Sequence, residues 1–140
     1  ENIRIAAGNY IHAAKLDEET ERLIKLVKLD KLGNPPVHNM SHGQQQWLEI
    51  AMALSSKPEL LLLDEPAAGM GPEETAFTAE LVNELNATGL TILFIDHDMD
   101  FVRQIAQKVT VMHYGRKFAY GTVDEISNDP GVKQIYLGNV

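Results

Sequence analysis

The sequence contains no cysteine among its 140 residues. A disulfide framework and a thiolate metal site are therefore excluded, and nothing indicates a secreted fold held together by disulfides. Basic residues are also scarce, since twelve Lys and Arg stand against twenty Asp and Glu and give a formal net charge of −8 at pH 7. Because binding to nucleic acid depends mainly on clustered basic side chains, the composition disfavours a nucleic-acid function.

The sequence also lacks a long apolar run. Its most apolar stretch, residues 60–63, is followed at once by Asp64 and Glu65, whereas a membrane-spanning helix needs roughly 18 apolar residues in a row. We therefore predict neither a membrane-spanning helix nor a signal peptide. The chain begins at Glu1 rather than at Met, within a partly apolar stretch, and we expect it to be a piece of a longer protein.

Apolar residues at helical spacing predict two helices in the first part of the chain. The first spans residues 17–32 and ends before Gly33, Asn34 and two prolines. The second spans residues 41–56 and has a proline beyond its end. Together they predict a helical part that covers residues 1–57.

Residues 58–140 have the pattern of an α/β part. The apolar run at 60–63 is typical of a strand covered on both faces in a parallel sheet. A helix over residues 72–87 and a second strand over residues 91–95 complete a βαβ unit, which we expect to be right-handed. The remaining sequence predicts a helix at 99–107 and a hairpin-like pair of strands at 109–113 and 117–120. Two short helices, at 123–126 and 132–137, complete the prediction.

Charged side chains follow both predicted strands directly. The strands end in LLLLDE and TILFIDHD, which supply Asp64, Glu65, Asp96, His97 and Asp98. Ligands of open α/β sheets bind at the carboxyl ends of the strands, so this edge of the sheet is a candidate site for a cation or a phosphate. A metal-dependent hydrolase that uses these five residues is one interpretation.

Asp64 and Glu65 are suited to two roles in phosphoryl transfer. An Asp at a strand end can hold Mg²⁺, usually through water, and the adjacent Glu can orient or deprotonate an attacking water. His97 can donate a hydrogen bond to a phosphate oxygen. In isolation, such residues more often cap a helix or lie in solvent, and only the surrounding motifs favour the catalytic interpretation.

The motif SHGQ, residues 41–44, stands at the start of the second predicted helix. It predicts a capping box, in which the Ser41 hydroxyl accepts from the Gln44 backbone N–H and the Gln44 side chain reaches back. The N-terminus of a helix also attracts anions, Gly43 allows a phosphate to approach closely, and Ser41 supplies a hydroxyl group. One helix start can therefore serve as a cap and as a phosphate contact.

Four segments occur in an order that resembles the C-terminal half of ABC-transporter ATPases. They are MSHGQQQWLEIAMAL, LLLLDEP, AAGMGPEET and TILFIDHDM. The resemblance implies a partial P-loop NTPase fold, with a helical subdomain followed by part of a parallel sheet and its flanking helices. The segments QQWLEIAMAL, EPAAGM and DHDMDFV are most similar to those of the ATP-binding subunits of branched-chain amino-acid and urea importers.

The resemblance also implies roles for individual residues. Residues 40–44 match the signature motif, so Ser41, His42, Gly43 and Gln44 would contact the phosphate of an ATP held by a partner subunit. Residues 60–64 match the Walker B strand, with Asp64 for Mg²⁺, and residues 68–71 match the D-loop. Glu65 matches the catalytic glutamate and His97 the switch histidine. ATP and Mg²⁺ would both be bound only in the complete dimer.

Two positions depart from the family pattern. His42 stands where the signature motif has Gly, which we expect to be tolerated if the side chain faces outward. Gly71 replaces the Asp that usually ends the D-loop and that helps to couple the two sites of a dimer. Communication between the sites would then depend on backbone contacts.

The resemblance implies a set of partners and a place in the cell. A second ATP-binding subunit would form the dimer, and transmembrane permease subunits would contact residues 2–57. The subunit would be cytoplasmic, peripheral at the inner face of the cell membrane, with no insertion into the membrane and no nucleic-acid partner. ATP hydrolysis would power the import of branched-chain amino acids or urea.

The phosphate cradle GxxxxGK followed by Ser or Thr is missing from the 140 residues. Because positioning of the phosphates supplies most of the catalysis in P-loop enzymes, we predict that the chain alone does not hydrolyse ATP. We also expect apolar surface around residues 60–63 to cause self-association, with strand exchange as one route.

Two further interpretations stay open beside the importer subunit. A non-catalytic half-ATPase that interacts with a complete one would explain the missing cradle. The head of a DNA-repair or chromosome-organising ATPase would share the order of motifs, although the absence of heptads and the acidic composition count against it.

Overall fold

The computed structural model describes residues 1–137, and these form two compact units that divide between His97 and Asp98. The first unit contains four helices and two strands: α1 (Asn2–Gly8), α2 (Ala13–Leu26), α3 (His42–Leu54), β1 (Leu60–Asp64), α4 (Pro72–Ala87) and β2 (Thr91–Ile95). The second contains α5 (Met99–Ile105), β3 (Val109–His113), β4 (Arg116–Gly121), α6 (Val123–Asn128) and α7 (Pro130–Leu137). The α/β class is confirmed, and the boundary expected after residue 57 stays a prediction.

The helical segment at the N-terminus differs most from the sequence prediction. Helix α1 was not predicted, although it buries Ile3 and Ala7. Helix α2 begins four residues earlier than predicted and ends at Leu26 rather than at residue 32. It ends there because Lys28 adopts a positive φ of 54°, which an α-helix cannot contain. A short 3₁₀ turn, Asp30–Leu32, follows and was mistaken for the end of the helix.

Helix α3 confirms the predicted cap and lies within the predicted residues 41–56. It starts after Ser41 and buries Trp47, Ile50, Ala51 and Leu54. The Trp47 indole Nε1 donates to the Thr78 hydroxyl of α4 at 2.8 Å, and the Trp47 ring meets the Phe77 ring edge-on at 4.7 Å. These contacts hold the first half of α4 against α3.

Strands β1 and β2 form a parallel pair, with Leu60 opposite Thr91 and Asp64 opposite Ile95. One face of this pair is packed, since Leu61 and Leu63 are 4% and 7% exposed. The other face is open within residues 1–137, so the apolar surface that we expected around residues 60–63 is exposed and the strand is covered on one face here. The open face carries four apolar side chains that are 49–67% exposed: Leu60, Leu62, Leu93 and Ile95.

The second unit is built on the antiparallel pair β3 and β4. Tyr114 and Gly115 connect the strands with φ values of 46° and 73°, as the primed two-residue hairpin turns require. Val111, Ile126 and Val132 form a small core between the hairpin and helices α6 and α7. Over the part of the chain that the structure describes, no helix is long and apolar enough to cross a membrane.

Candidate functional site

The start of α3 carries the first group of predicted site residues. The Gln44 backbone N–H donates to Ser41 Oγ at 3.2 Å, and the Ser41 backbone N–H donates to Gln44 Oε1 at 3.0 Å. This reciprocal pair satisfies two N–H groups that a helix start otherwise leaves without a partner. The capping box read from the sequence is therefore present.

Glu74, in the first turn of α4, is the residue of this group that sequence reasoning missed. Ser41 Oγ donates to Glu74 Oε1 at 2.6 Å, and the Gly71 backbone N–H donates to Glu74 Oε2 at 3.3 Å. The carboxylate also lies against Gly43, because a Cβ atom at that position would meet Glu74 Cδ at 2.8 Å. In the sequence, a Glu at the third position of a helix that begins with Pro indicates a helix cap. It gives no indication of a contact with α3.

His42 lies on the exposed side of the α3 start. A Cβ atom at Gly69 would lie 3.4 Å from His42 Cδ2, so the ring approaches this glycine closely. Gly69 has a φ of 70°, a conformation that glycine adopts without strain. The imidazole at position 42 thus neighbours residues 68–71 of its own chain while remaining exposed to solvent.

The carboxyl edge of the β1–β2 pair carries the second group. The Glu65 backbone N–H donates to the Ile95 carbonyl at 2.8 Å and extends the pairing by one residue. Glu65 then turns out of the strand with a φ of 45°, a left-handed conformation that costs a non-glycine residue energy. Strain of this kind accumulates at functional sites, where the surrounding structure holds it in place.

Glu65 and His97 lie within hydrogen-bond distance of each other. Glu65 Oε1 is 3.2 Å from His97 Nδ1, and the two side chains are 50% and 76% exposed. When His97 carries its proton on Nδ1, this nitrogen donates to the carboxylate and leaves Nε2 as an acceptor; the protonated ring donates from both nitrogens. The structure therefore brings together the two residues for which the sequence predicted catalytic roles.

The remaining strand-end carboxylates differ in their surroundings. Asp64 is exposed at the end of β1. Asp98 begins α5 and accepts from the backbone N–H groups of Asp100 and Phe101 at 2.9 and 3.2 Å, which is a helix cap. Within residues 1–137, no three His, Asp or Glu side chains are arranged to hold a metal ion. The five-residue metal site of the hydrolase interpretation gains no support.

Comparison with known proteins gives concordant results. Residues 1–68 match the family model described as ABC transporter. The branched-chain amino acid transport ATP-binding protein LivG of Salmonella typhimurium is 45% identical over 106 residues, covering 75% of this chain and 42% of LivG. BraF of Pseudomonas aeruginosa, of the same description, is 38% identical over 113 residues, covering 80% of this chain and 44% of BraF.

A solved structure is similar in fold as well as in sequence. It is an ATP-binding cassette of an ABC transporter in its ADP conformation, with a TM-score of 0.77 and 32% identity. The match covers 87% of this chain and 51% of the solved one. The chain thus spans about half the length, or less, of the proteins that it resembles.

Proposed function

This chain belongs to the ATP-binding family of ABC transporters, and from that premise we propose that it is part of the subunit that hydrolyses ATP in an importer. Branched-chain amino acids or urea are the proposed cargo, since LivG and BraF carry the first of these in their names. The contact between Glu65 and His97 at the carboxyl edge of the sheet carries the proposal.

Glu65 is the proposed general base. Its carboxylate orients and deprotonates the water that attacks the γ-phosphate, and His97 holds the carboxylate through Nδ1, which leaves Nε2 for a second partner. The turn at Glu65 supports this role, because the left-handed backbone directs the side chain out of the strand. The imidazole at 97 would contact a phosphate oxygen when its outer nitrogen carries a proton.

Asp64 is the proposed contact for Mg²⁺. This ion retains several waters and takes only one or two carboxylates together with phosphate oxygens, so a single exposed Asp fits it. The bound ion would neutralise charge on the phosphates. Ser41, His42, Gly43 and Gln44 of a second copy would contact the same ATP from the opposite side, as the family resemblance implies.

The proposed partners are a second ATP-binding subunit and the permease subunits in the membrane. In this arrangement the chain is peripheral at the inner face of the cell membrane, and residues 2–57 face the permease. We further propose that the chain on its own does not turn over ATP. Its 140 residues hold no GxxxxGK cradle, so Glu65 lacks a positioned substrate.

The proposal is tested by measuring ATP hydrolysis in an assembly that includes a GxxxxGK cradle. The cradle can be on the same chain or on a second one. We expect Glu65→Gln to lower the rate by at least about a hundredfold, since a general base contributes that much or more. Glu59→Gln is the matched control, because it removes the same charge from an exposed position just before β1. Equal losses in both variants, or none, would contradict the role of Glu65.

A non-catalytic half-ATPase is the second candidate, favoured by the missing cradle and by the open face of β1 and β2. In that case, the chain would bind a cradle-bearing partner and hydrolysis would not depend on Glu65. The isolated chain provides a separate check. Turnover by the purified chain that Glu65→Gln abolishes would overturn the prediction of inactivity.

A further inference from the structure

The hydroxyl of Ser41 uses its single proton within its own chain. Its oxygen accepts from the Gln44 backbone N–H at 3.2 Å, and its proton points to Glu74 Oε1, 2.6 Å away. The same oxygen cannot donate twice, because a hydroxyl group carries a single proton. Any phosphate oxygen that accepts from Ser41 must therefore replace Glu74.

Charge adds to this competition. Glu74 is half-buried beside Gly43, where a Cβ atom would lie 2.8–3.1 Å from the carboxyl atoms. A phosphate that approached Ser41 would come close to a carboxylate of the same sign, and like charges a few ångströms apart repel. The space that Gly43 leaves open is thus used by the carboxylate of α4 in this structure.

We propose that Glu74 is a positioning residue that holds the Ser41 hydroxyl and competes with phosphate for its proton, an inference that rests on the proposed function. The Glu74 carboxylate also accepts from the Gly71 backbone N–H at 3.3 Å. When phosphate displaces this carboxylate from Ser41, the contact with Gly71 at the end of residues 68–71 is therefore affected as well. Phosphate contact at α3 is thereby linked to the end of the D-loop within one chain. Gly71 lacks the carboxylate expected there, and Glu74 supplies one three residues later.

Titration of the 140-residue chain with inorganic phosphate, followed through the amide resonances of Gly43 and Gln44 at constant ionic strength, tests this inference. We expect Glu74→Gln to lower the apparent Kd for phosphate by more than about fivefold, because removing one like charge at about 4 Å in water contributes that much and the neutral amide is also a weaker competitor for the Ser41 proton. Glu73→Gln removes the same charge from the exposed neighbouring position and should leave the Kd unchanged. The same titration with sulfate shows whether Glu74→Gln also lowers the apparent Kd for another oxyanion.

The variant Ser41→Ala separates competition for the proton from simple charge repulsion. In this background, the gain from Glu74→Gln should shrink, because the hydroxyl for which both anions compete is gone. Far-ultraviolet circular dichroism of each variant would reveal loss of the fold. If Glu74→Gln does not fold, Glu74→Asp replaces it, since this variant keeps the charge and shortens the side chain. We expect a smaller gain in phosphate affinity from Glu74→Asp.

An unchanged Kd in Glu74→Gln, or no phosphate-dependent shift at Gly43 in that variant, would overturn the inference. An equal gain in Glu73→Gln would do the same, since it would show a general charge effect. These outcomes are distinct from failure of the proposed function. Competition at Ser41 is read from phosphate binding alone, whereas the proposed function depends on hydrolysis and on Glu65.

Discussion

The two units of the chain use the same local devices in different ways. Each has a pair of strands, and each has a helix that begins with a capping box, at Ser41 in the first unit and at Thr122 in the second. In the second unit both partners of the box belong to the same helix start, since Thr122 and Glu125 exchange hydrogen bonds of 2.7 and 3.2 Å. In the first unit a carboxylate from another helix, Glu74, joins the box.

The two helix starts also differ in the residue that supplies their negative charge. Glu125 provides the negative charge at the α6 start, and a Cβ atom at Gly121 would meet its Oε2 at 2.7 Å. At the α3 start the corresponding residue is the neutral Gln44, and the charge comes from Glu74, 33 residues away. A self-contained cap only stabilises its helix, whereas a charge supplied by another element can be exchanged for a ligand.

Trp47→Ala should have the largest effect, because it removes the contact that holds α4 against α3. Trp47 is 8% exposed and donates to Thr78, so we expect the free energy of unfolding to fall by about 3–5 kcal/mol. Urea unfolding followed by circular dichroism measures it. Tyr120→Ala in the second unit, at a side chain 62% exposed, should cost far less, and a comparable loss would contradict this account of the packing.

The open face of β1 and β2 should drive self-association. Leu62 is 65% exposed in the middle of this face, so we expect Leu62→Lys to weaken self-association by at least about tenfold, the worth of one buried Leu. Sedimentation velocity over a range of concentrations measures this. Tyr120→Lys adds the same charge on the second unit and should have little effect. A wild-type chain that stays monomeric at every concentration would count against the prediction.

A double-mutant cycle compares the two helix starts directly. Ser41→Ala removes the donor of one hydrogen bond and Glu74→Gln removes the charge of its acceptor, so their effects on unfolding free energy should be non-additive by about 0.5–1 kcal/mol. Thr122→Ala combined with Glu74→Gln should be additive, because these residues lie at different helix starts. Additivity in both cycles would mean that Glu74 does not stabilise the α3 start.

The helix start at Thr122 should make a small contribution to the pH dependence of stability. Hydrogen bonding from the Thr122 backbone N–H, and then from the Thr122 side chain, lowers the pKa of Glu125. The stabilisation is present above the ordinary glutamate pKa and is lost as the pH falls through the lowered value. Between neutral pH and about pH 3, the wild type should thus lose more unfolding free energy than Glu125→Gln. Equal losses would argue against this cap.

The sequence predicted the parts of the fold that local patterns decide. The bounds of α4 and β2 agree with the prediction, as do the capping box at Ser41 and the placement of Glu65 and His97 at one edge of the sheet. The end of α2 was missed because apolar spacing continues past Lys28, where the backbone turns. The contact of Ser41 with Glu74 was missed because it depends on how α4 packs on α3, which no local pattern records.

We propose above that Glu65 of one copy and Ser41 of another act on the same ATP. Mixing a Glu65→Gln chain with a Ser41→Ala chain, in an assembly that includes a GxxxxGK cradle, tests it through the rate of ATP hydrolysis. Each variant alone should be inactive, and the mixture should regain about a quarter of the wild-type rate, because random pairing in a two-fold dimer gives mixed dimers with one intact site. A mixture as inactive as its components would contradict the claim.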